Sequence, residues 1–158
     1  MSYFNTSRNC ELSVIYGVDT QVQANWTGIT VVKSNPNFDA VALPIITARL
    51  LATNNQRKEI GSRTMDSRYN FVVDIYAKSD GQRLDLAQFL EDTILQDFTY
   101  YTHSQTSGSP QTLTRTDAGK VKFIEFTQNT RIYFFEEVEA YDRFRHVLAF
   151  DVRIGLNA

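Results

Sequence analysis

Residues 68–97 read RYNFVVDIYAKSDGQRLDLAQFLEDTILQD and contain the clearest structural signal in this chain. Apolar side chains at every second position predict a half-buried strand from Arg68 to Ala77. Ser79 follows as a predicted helix N-cap, and Gln82 can reach back to the Ser79 amide in a capping box. An apolar stripe at helical spacing then comprises Leu86, Phe89, Leu90, Thr93, Ile94 and Phe98. The stretch therefore predicts a strand that leads directly into a helix packed on the same sheet.

Composition predicts a single domain over residues 1–158, because a chain of 158 residues can bury a sizeable core without a disulfide or a metal. The 16 basic and 18 acidic side chains give a net charge of -2, which argues against a protein that coats nucleic acid. Localised contact with DNA remains open. The N-terminus has no secretory pattern and no apolar run approaches about 20 residues, so we expect a soluble, intracellular product without a membrane partner.

The first half of the chain is predicted to supply one helix and two further strands. Asn9 is the expected N-cap of a helix through about Asn25, in which Gly17 costs about 1 kcal/mol and suggests a break or close packing. Strands are predicted over Ile29–Lys33 and Leu43–Ala52, leading into the Arg68 strand as a meander. The polar segment 1–8 could form a flexible arm.

The second half is predicted to be mainly β. Phe98 to Thr102 is β-prone, and residues 103–119 are expected to form a long exposed loop, available for partner contact or disordered. Three later strands are predicted: Lys120–Thr127, Arg131–Val138 and Arg143–Ile154, with a tight hairpin at Gln128-Asn129. The predicted fold class is α+β, a mainly antiparallel sheet of meander and late hairpin strands with two principal helices packed on it.

Candidate catalytic side chains are scattered and form no motif. His103 falls in the predicted loop, whereas His146 lies on the apolar face of the last strand and is predicted to be a hydrogen-bonded core histidine. Cys10 is predicted to be a simple buried thiol. We therefore predict no enzyme activity and no catalytic, cofactor or metal site. Two alternatives remain: a small-molecule or metal-dependent hydrolase using Asp74, Asp80 or His146, and a host regulatory binding module.

Two features favour assembly instead. The segment Thr53 to Arg68 is basic and is predicted to project as a loop or long hairpin tip that could touch phosphates, unless it is an ordinary solvated tip. Large rings on both faces of the late hairpin indicate a second covered face, formed by a helix or a neighbouring subunit. These rings are Phe126, Tyr133, Phe134 and Phe135.

Acidic and basic side chains also adjoin each other near the C-terminus. Glu136, Glu137 and Glu139 precede Arg143 and Arg145, so they could pair between copies of a ring or within one hairpin. The predicted interface or DNA-lumen residues are Arg57, Lys58, Arg63, Arg68, Glu136, Glu137, Arg143 and Arg145.

The order of elements resembles that of the tail-terminator or tail-completion proteins of long-tailed bacteriophages. The resemblance is carried by the Arg68–Ala77 strand, the helix start Ser79-Asp80-Gly81-Gln82-Arg83-Leu84 and the terminal strand Arg143–Arg153. It implies a structural protein assembled in the host cytoplasm and located in the virion neck. There it would form a hexameric ring that caps the tail tube, meets the head-side connector and passes DNA through its lumen. A head-completion, stopper or other neck component is the alternative within the same particle.

Overall fold

A computed structural model describes residues 2–33, 40–61, 63, 65–132 and 143–157, which form one sheet and two helices. The elements are β1 (Ser2–Tyr3), α1 (Thr6–Asn25), β2 (Thr30–Val32), β3 (Ile45–Arg57), β4 (Met65–Ala77), α2 (Asp80–Leu95), β5 (Phe98–Gln105), β6 (Leu113–Arg131) and β7 (Phe144–Leu156). The strand order is β1-β5-β6-β7-β4-β3-β2, and every pairing is antiparallel except that of β2 with β3. The predicted α+β class is confirmed.

The strand predicted from Arg68 to Ala77 occupies the centre of the sheet. It forms most of β4, which lies between β3 and β7, and its apolar alternate side chains are all buried. Phe71 stands opposite Phe150 of β7, with ring centroids 5.7 Å apart. Both helices cover this face, and their buried side chains complete one core with it. The alternation in the sequence therefore identified the core face correctly.

The centre of the sheet is buried on its other face as well. Ile45 of β3, Tyr76 of β4 and Val147 and Ala149 of β7 point away from the helices and are all at most 7% exposed. Both faces of these central strands are therefore buried. The predicted cover over the late hairpin stays a prediction. The rings at positions 133–135, which partly motivated it, lie outside the described residues.

α1 begins one turn earlier than predicted. Asn5 is the N-cap, because its side chain accepts a hydrogen bond from the Arg8 amide at 2.8 Å. Asn9, the predicted cap, is buried inside the helix and donates to the Phe4 carbonyl. Ser2 and Tyr3 pair with the end of β5, so the described part of segment 1–8 is strand and helix rather than a flexible arm.

α2 forms where the capping residues predicted it. The Ser79 hydroxyl accepts from the Gln82 amide at 3.2 Å. The Gln82 side chain accepts from the Lys78 amide at 2.8 Å, one residue earlier than the expected Ser79 amide. The helix ends at Leu95, and Phe98 therefore belongs to β5 rather than to the helical stripe.

Residues 103–119 do not form the predicted long loop. β5 continues to Gln105 and β6 begins at Leu113, so only residues 106–112 connect them. Threonine is β-branched and favours extended backbone, which is why a polar Thr-rich segment can form a hairpin. The hairpin predicted at Gln128-Asn129 is also wrong, since β6 runs through both residues and stays paired with β7 across two bulges. Of the predicted strand Arg131–Val138, only residues 131 and 132 are described.

Candidate assembly interface

The β3–β4 hairpin extends beyond the rest of the sheet. β2 pairs with β3 only at residues 45–47, and β7 pairs with β4 only from Tyr69 onward. Residues 54–57 and 65–68 consequently pair only with each other. Four residues of strand beyond the last level that pairs with β7 reach about 13 Å. We call residues 52–68 the hairpin arm, and this arm confirms the long hairpin predicted for the basic segment.

The described residues at the tip of the hairpin arm are mainly basic and all exposed. Arg57, Lys58 and Arg63 are exposed and make no ion pair with any described residue. Glu59 supplies the one acidic side chain of the described tip residues. Ile60 is 106% exposed, the largest fraction among the exposed large apolar side chains of the described chain. Among the described residues, the tip thus presents three unpaired cations around one apolar side chain.

Charged pairs hold the base of the arm against the sheet. Asp66 accepts from the Arg153 guanidinium of β7 at 2.8 Å. Arg68 lies 3.3 Å from the Glu125 carboxylate of β6 and 4.0 Å from that of Asp151. Asp66, Arg68 and Asp151 border a polar groove of about 500 Å³, together with three amide side chains of the arm. Arg68 therefore orients the arm, whereas the three tip cations are available to a partner.

The two arginines predicted to form a basic strip near the C-terminus have different surroundings. The Arg145 guanidinium contacts Asp74 of the neighbouring strand β4 at 3.1–3.2 Å, and it lies 5.0 Å from the centre of the Tyr76 ring. Asp74 is 3% exposed, so this pair stabilises the sheet interior. Arg143 is exposed. Its expected partners Glu136, Glu137 and Glu139 lie outside the described residues.

The three residues of the hydrolase alternative do not share a surface. Asp74 lies on the face away from the helices, whereas Asp80 lies in the first turn of α2 and His146 faces the helices. Asp80 contacts Arg83 at 2.8 Å, and this hydrogen bond lowers the pKa of its carboxyl group. The described residues contain no group of three side chains suited to hold a metal ion.

His146 is a buried, hydrogen-bonded histidine, as the sequence predicted. Its Nδ1 lies 2.7 Å from the Arg83 guanidinium and its Nε2 lies 2.7 Å from Oδ1 of Asn129. Because a guanidinium only donates, Nδ1 must accept and Nε2 must donate, which requires the neutral ring. Burial, followed by the Arg83 charge, lowers the pKa of His146 accordingly.

A polar cluster beneath α1 was not predicted from the sequence. Asn9 Oδ1 accepts from the His103 amide and lies 3.0 Å from His103 Nδ1, while the Ser13 hydroxyl accepts from the Tyr101 amide. His103 is 2% exposed rather than in a loop, and its Nε2 has no partner among the described residues. Alternation from Phe98 to Tyr100 would not have predicted this burial, because a bulge between Tyr100 and Tyr101 shifts the pattern by one residue. Cys10, next to Asn9, is buried as predicted, and burial raises the pKa of its thiol to about 12.

No protein-family model and no curated protein matches this chain. Neither of the described helices combines the length and the apolar character that crossing a bilayer requires.

Proposed function

We propose that this protein is a phage tail terminator, a structural virion protein that forms a hexameric ring on the tail tube and joins it to the head-side connector. The observation that carries the proposal is the hairpin arm. Its two strands continue about 13 Å beyond the last residues that pair with β7, and its tip presents three exposed cations that pair with no described residue. A projecting arm of this kind is suited to reach a neighbouring copy or the lumen of a ring. The resemblance in element order supplies the identity of the particle.

The tip has the chemistry that such a contact needs. Arg57, Lys58 and Arg63 are solvated cations, which can pair with an acidic surface on a neighbour or contact phosphates of passing DNA without reading its sequence. Ile60 adds an exposed apolar side chain, and its burial by a partner would favour binding. We assign partner contact to these four residues.

The remaining predicted interface residues take different roles in this proposal. Arg68 positions the arm through Glu125, and Arg145 stabilises the sheet through Asp74. Arg143 is exposed and is a candidate contact with a neighbouring copy. Glu136 and Glu137 stay as predicted acidic partners for such a contact.

Light scattering coupled to size exclusion tests the proposal across a protein concentration series, with and without a tail-tube protein. We expect a ring of about six copies, formed alone or when the tube protein is added. Arg57→Glu combined with Lys58→Glu should weaken this assembly while the far-ultraviolet circular dichroism stays unchanged. Lys78→Glu combined with Lys120→Glu is the matched control, because it makes the same charge change at exposed positions outside the arm.

The outcomes separate the alternatives. Assembly with the head-side connector but not with the tail tube would identify another neck component. Assembly that the Arg57 and Lys58 reversals leave unchanged would remove the arm tip from the interface. A monomer that no tail or neck protein alters would contradict the proposal and favour the host binding module or the hydrolase.

A further inference from the structure

The sheet has two long edges that no described strand covers. β2 pairs with β3 only as far as Thr47, and β5 pairs with β6 only as far as Val121. The outer backbone of β3 from Ala52 to Arg57, and that of β6 from Glu125 to Arg131, therefore has no strand partner in the described parts of the chain. We call these segments the β3 edge and the β6 edge.

Each edge begins just after a backbone amide that is already hydrogen-bonded to a carboxylate and so cannot pair with another strand. The Leu50 amide of β3 donates to Glu11 of α1 at 2.9 Å, and Lys33 holds that carboxylate at 2.7 Å. The Phe123 amide of β6 donates to Asp97 at 2.8 Å. A bulge follows immediately in both strands. Pairing is thus closed at these two amides and open beyond them.

Between the charged residues Arg57 of the β3 edge and Glu125 and Arg131 of the β6 edge, the open segments lack the features that usually protect an exposed strand. Residues 52–56 read ATNNQ and residues 127–130 read TQNT, with no charge and no proline in either. Proteins commonly protect free edges with lysine, proline or an inward charge, because an unprotected edge accepts another strand. Uncharged amide and hydroxyl side chains are compatible with such strand addition.

We infer that the β3 edge of one copy pairs with the β6 edge of the next copy, so that the sheet continues from subunit to subunit. β3 and β6 run antiparallel because three antiparallel pairings separate them. An alignment of Asn54 with Gln128 places both exposed amides on the same face and brings Arg57 toward Glu125, whose side chain is 57% exposed. This inference rests on the proposed function, since the occupant is a second copy of the same chain.

The pairing joins two different surfaces, so its repetition gives a ring where the rotation closes. The same pairing also shifts each copy relative to the next along the strand direction. Gln128 stands opposite Ala149 of β7, whereas Asn54 stands one residue beyond the level of Val152. This difference of four residues corresponds to about 13 Å at 3.3 Å per residue. A stagger of this kind is what closing a sheet around an axis requires.

Engineered disulfides test this contact directly. Asn54→Cys and Gln128→Cys are prepared separately in the full chain, in which the buried Cys10 does not compete for oxidation. Under mild oxidation at high protein concentration we expect a covalent dimer when the two variants are mixed and none from either alone. A chain that carries both changes should give a ladder that ends at the ring size. Ala24→Cys, on the exposed side of α1, is the control and should not cross-link with either.

Three results would overturn the inference or separate it from the proposed function. Cross-linking of Asn54→Cys with itself would show that two β3 edges pair around a two-fold axis instead. A ring seen by light scattering without any cross-link between positions 54 and 128 would refute the edge pairing while leaving the terminator function standing. A ladder that closes, in a protein that binds no tail or neck partner, would support the edge pairing and refute the terminator function.

Discussion

The substitution Gly17→Ala should destabilise the protein, although helix propensity alone predicts the opposite. Replacing glycine by alanine inside a helix ordinarily stabilises it by about 1 kcal/mol. A Cβ atom at Gly17 would lie 2.9 Å from Cε1 of Phe98 and closer still to Cδ1. Phe98 is 6% exposed, so its rigid ring cannot simply rotate into solvent. Overpacking of this kind costs about 1–3 kcal/mol, and we take the upper part of that range because two ring atoms clash.

The net expectation is a loss of about 1–2 kcal/mol in the free energy of unfolding, measured by urea denaturation. Gly81→Ala is the matched control, because it is a helical glycine with open space around its Cβ position, and it should not lose stability. Phe98→Leu, made in the Gly17→Ala background, should recover part of the loss through the smaller side chain. Equal or greater stability of Gly17→Ala would refute the reasoning, because helix propensity would then outweigh the contact.

Two further predictions concern charge. Arg145→Ala should lower the free energy of unfolding by about 3 kcal/mol in urea denaturation, because it leaves Asp74 buried without this partner. Arg153→Ala breaks a more exposed pair with Asp66 and should lower it by at most about 1 kcal/mol. Equal losses would contradict this expectation. Burial and nearby arginines lower the pKa of His103 and His146 in the folded state, so the unfolded chain binds more protons and stability should fall as the pH drops below about 6.5. The free energy of unfolding should change with pH by at most about 1.4 kcal/mol per pH unit for each histidine. The His103→Gln, His146→Gln double variant should reduce this pH dependence between pH 7.5 and 5.5. An unchanged pH dependence would show that the two histidines do not cause it.

Local sequence patterns predicted correctly those helices and strands that depend on side chains close together in the sequence. The alternation of β4 and β7 and the Ser79 cap of α2 all appear in the structure, because burial of one face and bonding to the first free amides are local requirements. The start of α1 was misplaced because Asn5 and Asn9 are equally suitable caps in sequence. Only the contact of Asn9 with His103, which are 94 residues apart, distinguishes them.

Long-range pairing explains the larger errors. The polar residues of β6 extend as a strand because β5 and β7 pair with it on either side, and a sequence window of this region contains neither partner. The same reasoning applies to the interface. The basic composition of the hairpin arm was visible in the sequence, but the assignment of Arg68 and Arg145 to internal ion pairs depends on β6 and β4.

The chain order of the strands has a consequence for synthesis. β7 comes after all the other described strands in the chain, yet it lies between β6 and β4, and its Val152 pairs with the distant Tyr69. Until β7 emerges from the ribosome, β4 and β6 each lack their shared neighbour, and such unfinished sheets are prone to aggregate. A chain truncated before β7 should therefore fail to fold at all, rather than lose a peripheral strand.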